Sequence, residues 1–158
     1  MFEKLLGPLR KPKHNADRKS METALKAGCI PALRNQGFKG TFPNFYREHE
    51  NFVALVNFQF FSSGGSFCIN LGYADPERRN VSFEPEAEPR ALRVTATRER
   101  SRLGSGGEGD NWFSYGKTSY GEFRGSTSEV NEIAEQCAKL FISEAEGWWL
   151  GKMSAASA

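Results

Sequence analysis

The chain has 158 residues, of which 39% are hydrophobic and 25% are charged, and its net charge is +2. This length suits a single domain that buries its own core, and the apolar fraction excludes a disordered chain. No apolar run approaches the roughly 20 residues of a membrane-spanning helix, and the first residues lack the apolar stretch of a signal peptide.

Residues 1–15 are interpreted as a basic N-terminal arm, because lysine and arginine outnumber acidic residues there. A few leucines form a short apolar stripe in it. Such an arm can bind a membrane surface or nucleic acid. It can also be a solvated terminus whose leucines pack against the edge of the domain. Pro8 and Pro12 limit the length of any helix and favour the solvated terminus.

A single α+β domain is predicted over residues 16–151, and it begins with a helix over 16–36. Apolar residues fall four apart from Met21 to Leu33, which places them on one helical face. Pro31 removes a backbone donor, so we expect a kink or two helical pieces at this point.

Three strands are predicted next, over 41–48, 52–61 and 66–74. The second and third alternate apolar residues along their length, and Ser62-Ser63-Gly64-Gly65 between them is typical of a hairpin turn. A polar turn at 49–51 separates the first two strands. The sequence therefore predicts antiparallel pairing of neighbouring strands.

The next segment is more irregular. Charged residues and prolines predict an exposed loop over 75–90 around a short extended piece at 81–83. Alternating apolar residues predict a strand over 91–98, facing inward with Leu92, Val94 and Ala96. A flexible glycine-rich loop at 104–109 and a short strand at 112–115 follow.

A C-terminal helix is predicted after residue 126. Ser126 and Glu129 have the spacing of a capping box, and an apolar stripe follows at intervals of three and four. We expect Gly151 to end this helix and residues 152–158 to form a flexible tail. The order helix, strands, helix predicts an α+β fold: an antiparallel β-sheet with the N-terminal and C-terminal helices packed on one face.

Polar and aromatic side chains in the strand region are the candidate binding residues: Arg47, Asn57, Gln59, Asn70, Arg100, Arg102, Asp110 and Trp112. If helices cover one face of the sheet, the opposite face carries these groups. Amides, guanidinium groups and an indole on a sheet can bind a peptide, a nucleotide or a protein. The alternative is a solvated face held by cross-strand hydrogen bonds and an Arg–Asp pair.

Catalytic and metal-binding patterns are absent from the sequence. No cysteine or histidine lies within a few residues of another, so we expect neither a metal nor a cofactor. Cys29 and Cys137 fall on apolar helical stripes, where a buried reduced thiol is the simple interpretation. The glycine-rich loop at 104–109 lacks the Gly-Lys-Ser/Thr ending of a phosphate-binding loop.

Six short segments, taken in order, carry a family resemblance: Gly37-Phe38-Lys39, Phe45-Tyr46-Arg47, Asn57-Phe58-Gln59, Asn70-Leu71-Gly72, Arg100-Ser101-Arg102-Leu103-Gly104 and Asp110-Asn111-Trp112-Phe113. On these segments the chain resembles the bacterial family catalogued as domain of unknown function 4304, over roughly residues 20–145. Phe113 stands where the family has a second tryptophan. The resemblance implies the fold and a cytoplasmic location, and it implies no activity.

The leading hypothesis is a non-enzymatic binding module in the cytoplasm that recognises an unknown protein or a small polar ligand. The alternative is an enzyme that acts on a small polar or nucleotide substrate through arginine and carboxylate residues. Glu108 and Asp110 are then the acidic candidates, beside Arg100 and Arg102. A closed pocket that holds a carboxylate with a perturbed pKa would favour the enzyme.

The expected partners follow from charge and apolar surface. We expect no membrane partner, and the modest net charge and the acidic stretch at 84–88 argue against nucleic acid. A homodimer is a further possibility, because Trp148 and Trp149 would form an apolar patch if both were exposed, and partners usually cover such patches.

Overall fold

An antiparallel sheet with helices packed on one face forms the core of the computed structural model, which describes residues 14–107 and 109–157. The elements follow in chain order: α1 (Arg18–Gly28), α2 (Ile30–Asn35), β1 (Lys39–Thr41), β2 (Asn44–His49), β3 (Phe52–Phe60), β4 (Ser66–Ala74), two 3₁₀ turns (Pro89–Ala91 and Val94–Ala96), β5 (Ser101–Arg102), β6 (Phe113–Ser114), α3 (Val130–Leu140), a π-helical turn (Phe141–Ala145) and α4 (Glu146–Ser157). The predicted fold class is confirmed. Nearly all of the predicted basic arm, and Glu108, lie outside the described residues.

The described strands form one sheet in the order β1-β2-β3-β4-β5, and β6 pairs with β4 beside β5. All of these pairs are antiparallel, and short turns join β1 to β2, β2 to β3 and β3 to β4. Among the described residues, the structure contains no helix of the length and apolar character needed to cross a membrane.

The N-terminal helical segment divides at the predicted place. Asp17 caps α1 by accepting a hydrogen bond from the backbone N–H of Ser20 at 2.8 Å. Pro31 lies in the first turn of α2, where its missing N–H costs no helical hydrogen bond. The prediction of two helical pieces meeting near Pro31 is therefore confirmed.

The two long hairpins fix the register of the sheet. Glu50 and Asn51 both have positive φ, as a two-residue type I′ turn requires, and they place Asn44 opposite Asn57. In the second hairpin a Cβ atom on Gly65 would lie 2.6 Å from the carbonyl oxygen of Gly116, so the backbone there fits only glycine. That hairpin places Asn57 opposite Asn70.

Aromatic and aliphatic side chains fill the helix-covered face of the sheet. Alternate residues of β3 and β4 form this layer: Phe52, Ala54, Val56, Phe58, Phe67, Ile69, Leu71 and Tyr73. The helices contribute buried residues at the predicted spacing, among them Met21, Leu25, Ile133 and Cys137. Burial of apolar area at about 25 cal/mol per Å² makes this layer the main source of stability.

The opposite face has an apolar end and a polar end. Val53, Leu55 and Ala74 form a second buried cluster with residues of the 75–98 segment, chiefly Val81 and Val94. The prediction of an exposed loop over 75–90 is therefore wrong at Val81, which is buried, whereas Phe83 is 69% exposed.

The predicted strand over 91–98 is also wrong, since two 3₁₀ turns occupy this region. The backbone turns inward at Val94, where Thr97 donates its hydroxyl to the Val94 carbonyl oxygen at 2.7 Å. This turn lets Val94 pack against the sheet beside Gly72.

The C-terminal helix differs from the prediction at both ends. Glu129 is the N-cap, and its carboxylate accepts hydrogen bonds from the backbone N–H groups of Asn131 and Glu132, so Ser126 does not form the predicted capping box. The helix passes through the π-helical turn and continues beyond Gly151 to Ser157. The expected helix end at Gly151 is therefore wrong.

Candidate functional site

A row of three asparagine side chains crosses the polar end of the open face. Asn44, Asn57 and Asn70 are direct register partners on β2, β3 and β4. Asn57 Nδ2 donates to Asn44 Oδ1 at 2.9 Å, and Asn70 Nδ2 donates to Asn57 Oδ1 at 3.1 Å. We call these three residues the amide row. Because each amide is held by its neighbour, their side-chain orientations are fixed before any ligand binds.

Two further side chains of the same face border the amide row. Asn70 Nδ2 also donates to Gln59 Oε1 at 2.9 Å, and the Cys68 thiol lies 3.7 Å from that oxygen. Burial raises the pKa of the Cys68 thiol to about 11. The thiol therefore stays neutral at physiological pH and is a weak nucleophile.

An arginine–indole cluster continues the row on the side of β5. Arg102 lies opposite Asn70 and pairs with Asp110 at 2.5 Å, and Trp112 Nε1 donates to the same carboxylate at 3.1 Å. The Arg124 guanidinium lies 4.4 Å from the ring centre of Phe61 and 4.5 Å from that of Trp112. The cluster combines a guanidinium–carboxylate pair with cation–π contacts. It consists of Phe61, Arg102, Asp110, Trp112 and Arg124.

Asp110 remains ionised within this cluster. Partial desolvation would raise the pKa of its carboxyl group, but the hydrogen bond from Trp112 and the Arg102 guanidinium outweigh this effect and lower the pKa below its usual range. The side chain of Asp110 is 63% exposed. A solvated carboxylate with a lowered pKa is a poor general acid or base near pH 7.

A cavity of about 180 Å³ opens where the amide row meets β5, and we call it the arginine cavity. Its polar lining consists of Gln59, Asn70, Thr95, Arg100, Ser101 and Arg102. Arg100 donates to the backbone carbonyl oxygens of Thr97 at 3.0 Å and Thr95 at 3.2 Å, which fixes its guanidinium at the rim. None of the described lining residues is acidic.

Seven of the eight predicted site residues lie on or beside this face, and Arg47 does not. In the sheet register Arg47 is opposite Ala54, on the helix-covered face. Its guanidinium pairs with Glu146 at 2.6 Å and lies 4.6 Å from the Phe38 ring centre. The expectation that Arg47 shares the open face is therefore wrong, because a carboxylate of α4 holds it beneath the helices.

Three residues of the site were absent from the sequence prediction: Asn44, Phe61 and Arg124. Asn44 was available from the register, since the turn at 49–51 aligns it with Asn57. Arg124 joins Phe61 through a loop contact between distant parts of the chain, and local sequence carries no signal for such a contact.

In the described part of the chain, no group of three or more His, Cys, Asp or Glu side chains is placed to hold a metal ion. All three cysteines are free and buried. Burial raises the pKa of Cys29 to about 12 and that of Cys137 well above its usual value, as it does for Cys68.

We expect all three thiols to resist a thiol-specific disulfide reagent at pH 8 in the folded protein and to react fully in denaturant. Thiols of the unfolded chain ionise near pH ~8.5, whereas the buried thiols stay protonated above that pH. Thiol burial therefore makes the folded protein progressively less stable relative to the unfolded chain as the pH rises above ~8.5. A spectrophotometric count of reacted thiols with and without guanidinium measures this. Rapid reaction of the folded protein at pH 8 would contradict the burial.

A family model described as "Domain of unknown function (DUF4304)" matches residues 29–150. The matched range includes the amide row, the arginine–indole cluster and the beginning of α4. No curated protein matches the chain, and no solved structure matches it.

Proposed function

Because the chain belongs to the family described as domain of unknown function DUF4304, whose description assigns no activity, we propose a function from the site itself. We propose that the protein is a non-enzymatic binding module that holds an anionic group, a carboxylate or a phosphate, in the arginine cavity. The group is carried by a small polar ligand or by a partner protein.

The observation that carries this proposal is the composition of the arginine cavity. Two guanidinium groups, from Arg100 and Arg102, border it together with the amides of Gln59 and Asn70. Guanidinium groups form charge-assisted, often bidentate hydrogen bonds with carboxylate and phosphate oxygens. The volume of about 180 Å³ suits such a group rather than a whole nucleotide.

Pre-organisation of the cavity supports the same function. Asn70 is held by both Asn57 and Gln59, and Arg100 is held by two backbone carbonyl oxygens. Side chains that are already fixed lose little conformational entropy when a ligand binds. The arrangement therefore favours specific recognition of an anion over loose surface attraction.

The ionisation of nearby groups supports binding over the enzyme alternative. The Cys68 thiol is neutral at pH 7 because burial raises its pKa to about 11, and the pKa of Asp110 is lowered. A thiol that acts as a nucleophile needs a lowered pKa, and a general acid or base works best with a pKa near the operating pH.

The test is calorimetric titration of the full chain with inorganic phosphate and with citrate, using two variants that act in opposite directions. Arg102→Gln removes an anion ligand and should weaken binding by about tenfold or more, since a hydrogen bond to a charged group contributes about 1.5–3 kcal/mol. Asp110→Asn removes the carboxylate that competes for Arg102 and should strengthen binding.

Arg79→Gln is the matched control, because it also removes one positive charge but lines a different cavity. We expect it to leave the affinity unchanged. A short polyglutamate peptide as a third titrant distinguishes the two sources of the anion, since tighter binding of the peptide indicates a partner protein. Equal affinities for wild type, Arg102→Gln and Asp110→Asn would overturn the proposal.

A further inference from the structure

A second cavity lies between β6 and α3, and Trp112 is one of its lining residues. It has a volume of about 310 Å³, which is at the lower end of the roughly 300–1,000 Å³ typical of small-molecule sites. Its polar lining comprises Asn111, Trp112, Ser114, Ser126, Ser128 and Gln136. We call it the serine cavity. Neither Arg100 nor Arg102 lines it, so it is distinct from the arginine cavity.

Ser114 gives the first indication of a ligand. This residue is only 4% exposed, yet its hydroxyl oxygen has no hydrogen-bond partner within the described protein. A buried hydroxyl without a partner costs about 1–3 kcal/mol, so native structures rarely keep one without a reason. Because Ser114 lines the serine cavity, a hydrogen-bonding molecule held there would satisfy it.

The charge of the lining indicates which class of molecule this is. Every described residue that lines the serine cavity is uncharged. An ionic ligand would lose its hydration there without gaining a counter-charge, which is strongly unfavourable. A neutral ligand loses much less, so the lining selects for neutral molecules.

The remaining walls point to a ligand with many hydroxyl groups on a compact ring. Ser126 and Ser128 can each donate and accept a hydrogen bond, and the Gln136 amide supplies both a donor and an acceptor. Trp112, Phe113 and Ile133 provide apolar and aromatic surface against which the C–H side of a ring can pack. We propose that the serine cavity binds a neutral polyhydroxylated ligand of the size of one sugar ring.

The proposal does not depend on the anion-binding function, although Trp112 lines the serine cavity and also donates to Asp110, the partner of Arg102. Variants of Trp112 are therefore unsuitable as a test. Gln136→Leu removes a hydrogen-bonding amide from an exposed helical position, and Ser114→Ala removes one oxygen atom without adding bulk. Glu135→Gln, at the neighbouring exposed position of α3, is the matched control.

The experiment is a titration of the full chain with glucose, galactose, N-acetylglucosamine and myo-inositol, followed by ¹H–¹⁵N spectra. We expect saturable binding of at least one probe, with shifts of the Gln136 side-chain amide. Gln136→Leu and Ser114→Ala should each weaken this binding by at least about fivefold, which corresponds to ~1 kcal/mol, and Glu135→Gln should not change it.

Three results would overturn the proposal. The first is the absence of saturable binding by all four probes up to about 50 mM, far above the 1 mM that corresponds to about −4 kcal/mol. The second is equal binding by wild type, Gln136→Leu and Ser114→Ala. The third is a bound probe whose affinity falls in Arg102→Gln instead, which would place it in the arginine cavity.

Discussion

Replacing Trp149 with alanine is expected to lower the free energy of unfolding by about 3–5 kcal/mol, the loss typical of a large buried aromatic residue. Trp149 is 1% exposed, and its indole packs 5.3 Å from the ring centre of Phe38. Its Nε1 donates to the carbonyl oxygen of Gly72 at 2.9 Å, which ties α4 to β4. This burial makes Trp149 a core residue. The expected loss is a large fraction of the total stability of a protein domain, which is about 5–15 kcal/mol.

Trp149→Phe and Trp148→Ala are the controls for this result. The phenylalanine keeps most of the ring but leaves the Gly72 carbonyl without its donor, so we expect a loss of about 1–3 kcal/mol. Trp148 is only partly buried, so its replacement by alanine should lower the free energy of unfolding less than that of Trp149 does. Urea unfolding followed by far-ultraviolet circular dichroism measures all three variants. Equal stability of Trp149→Ala and Trp148→Ala would contradict the assignment of Trp149 to the core.

Glu146→Ala is expected to lower the free energy of unfolding by about 2–3 kcal/mol. It leaves the Arg47 guanidinium unpaired beneath α4, where Arg47 Nη1 and Nη2 now donate to the carboxylate at 2.7 and 2.6 Å. Loss of one partner of a fully buried pair costs about 3–5 kcal/mol. The two side chains are 23% and 28% exposed, so solvent reduces the effect.

The double variant Arg47→Met with Glu146→Leu separates pairing from packing. Apolar side chains of similar volume can replace a buried ion pair at little cost, so we expect the double variant to recover most of the lost stability. Because Arg47 lies on the helix-covered face, Arg47→Met alone should lower stability without changing anion affinity. Strictly additive losses in the double variant, or a change in affinity for Arg47→Met, would contradict this account.

Local sequence predicted most of the sheet, because the turns determine the register. A polar turn at 49–51 and a glycine-containing turn at 62–65 set two hairpins, and side-chain alternation then assigns each residue to a face. The alignment of Asn57 with Asn70 follows directly. The same alternation places Arg47 on the helix-covered face with Phe45. Its charge instead favoured the prediction that it lies on the open face.

Contacts between distant residues decided the features that sequence did not predict. The 91–98 segment has apolar alternation typical of a strand, but Val94 packs beside Gly72 and the backbone forms 3₁₀ turns instead. Glu146 reaches Arg47 across about a hundred residues of chain. Neither partner is identifiable from the local pattern, because tertiary packing overrides local propensity.

The most direct test of anion binding in the arginine cavity is a ¹H–¹⁵N spectrum of the full chain recorded during titration with inorganic phosphate. We predict saturable shifts of the Asn70 and Gln59 side-chain amides and of Arg102 Nε, with no comparable change at Arg79. Shifts of similar size at exposed arginines throughout the surface, or no saturable shift at Asn70 and Arg102, would contradict the proposed function.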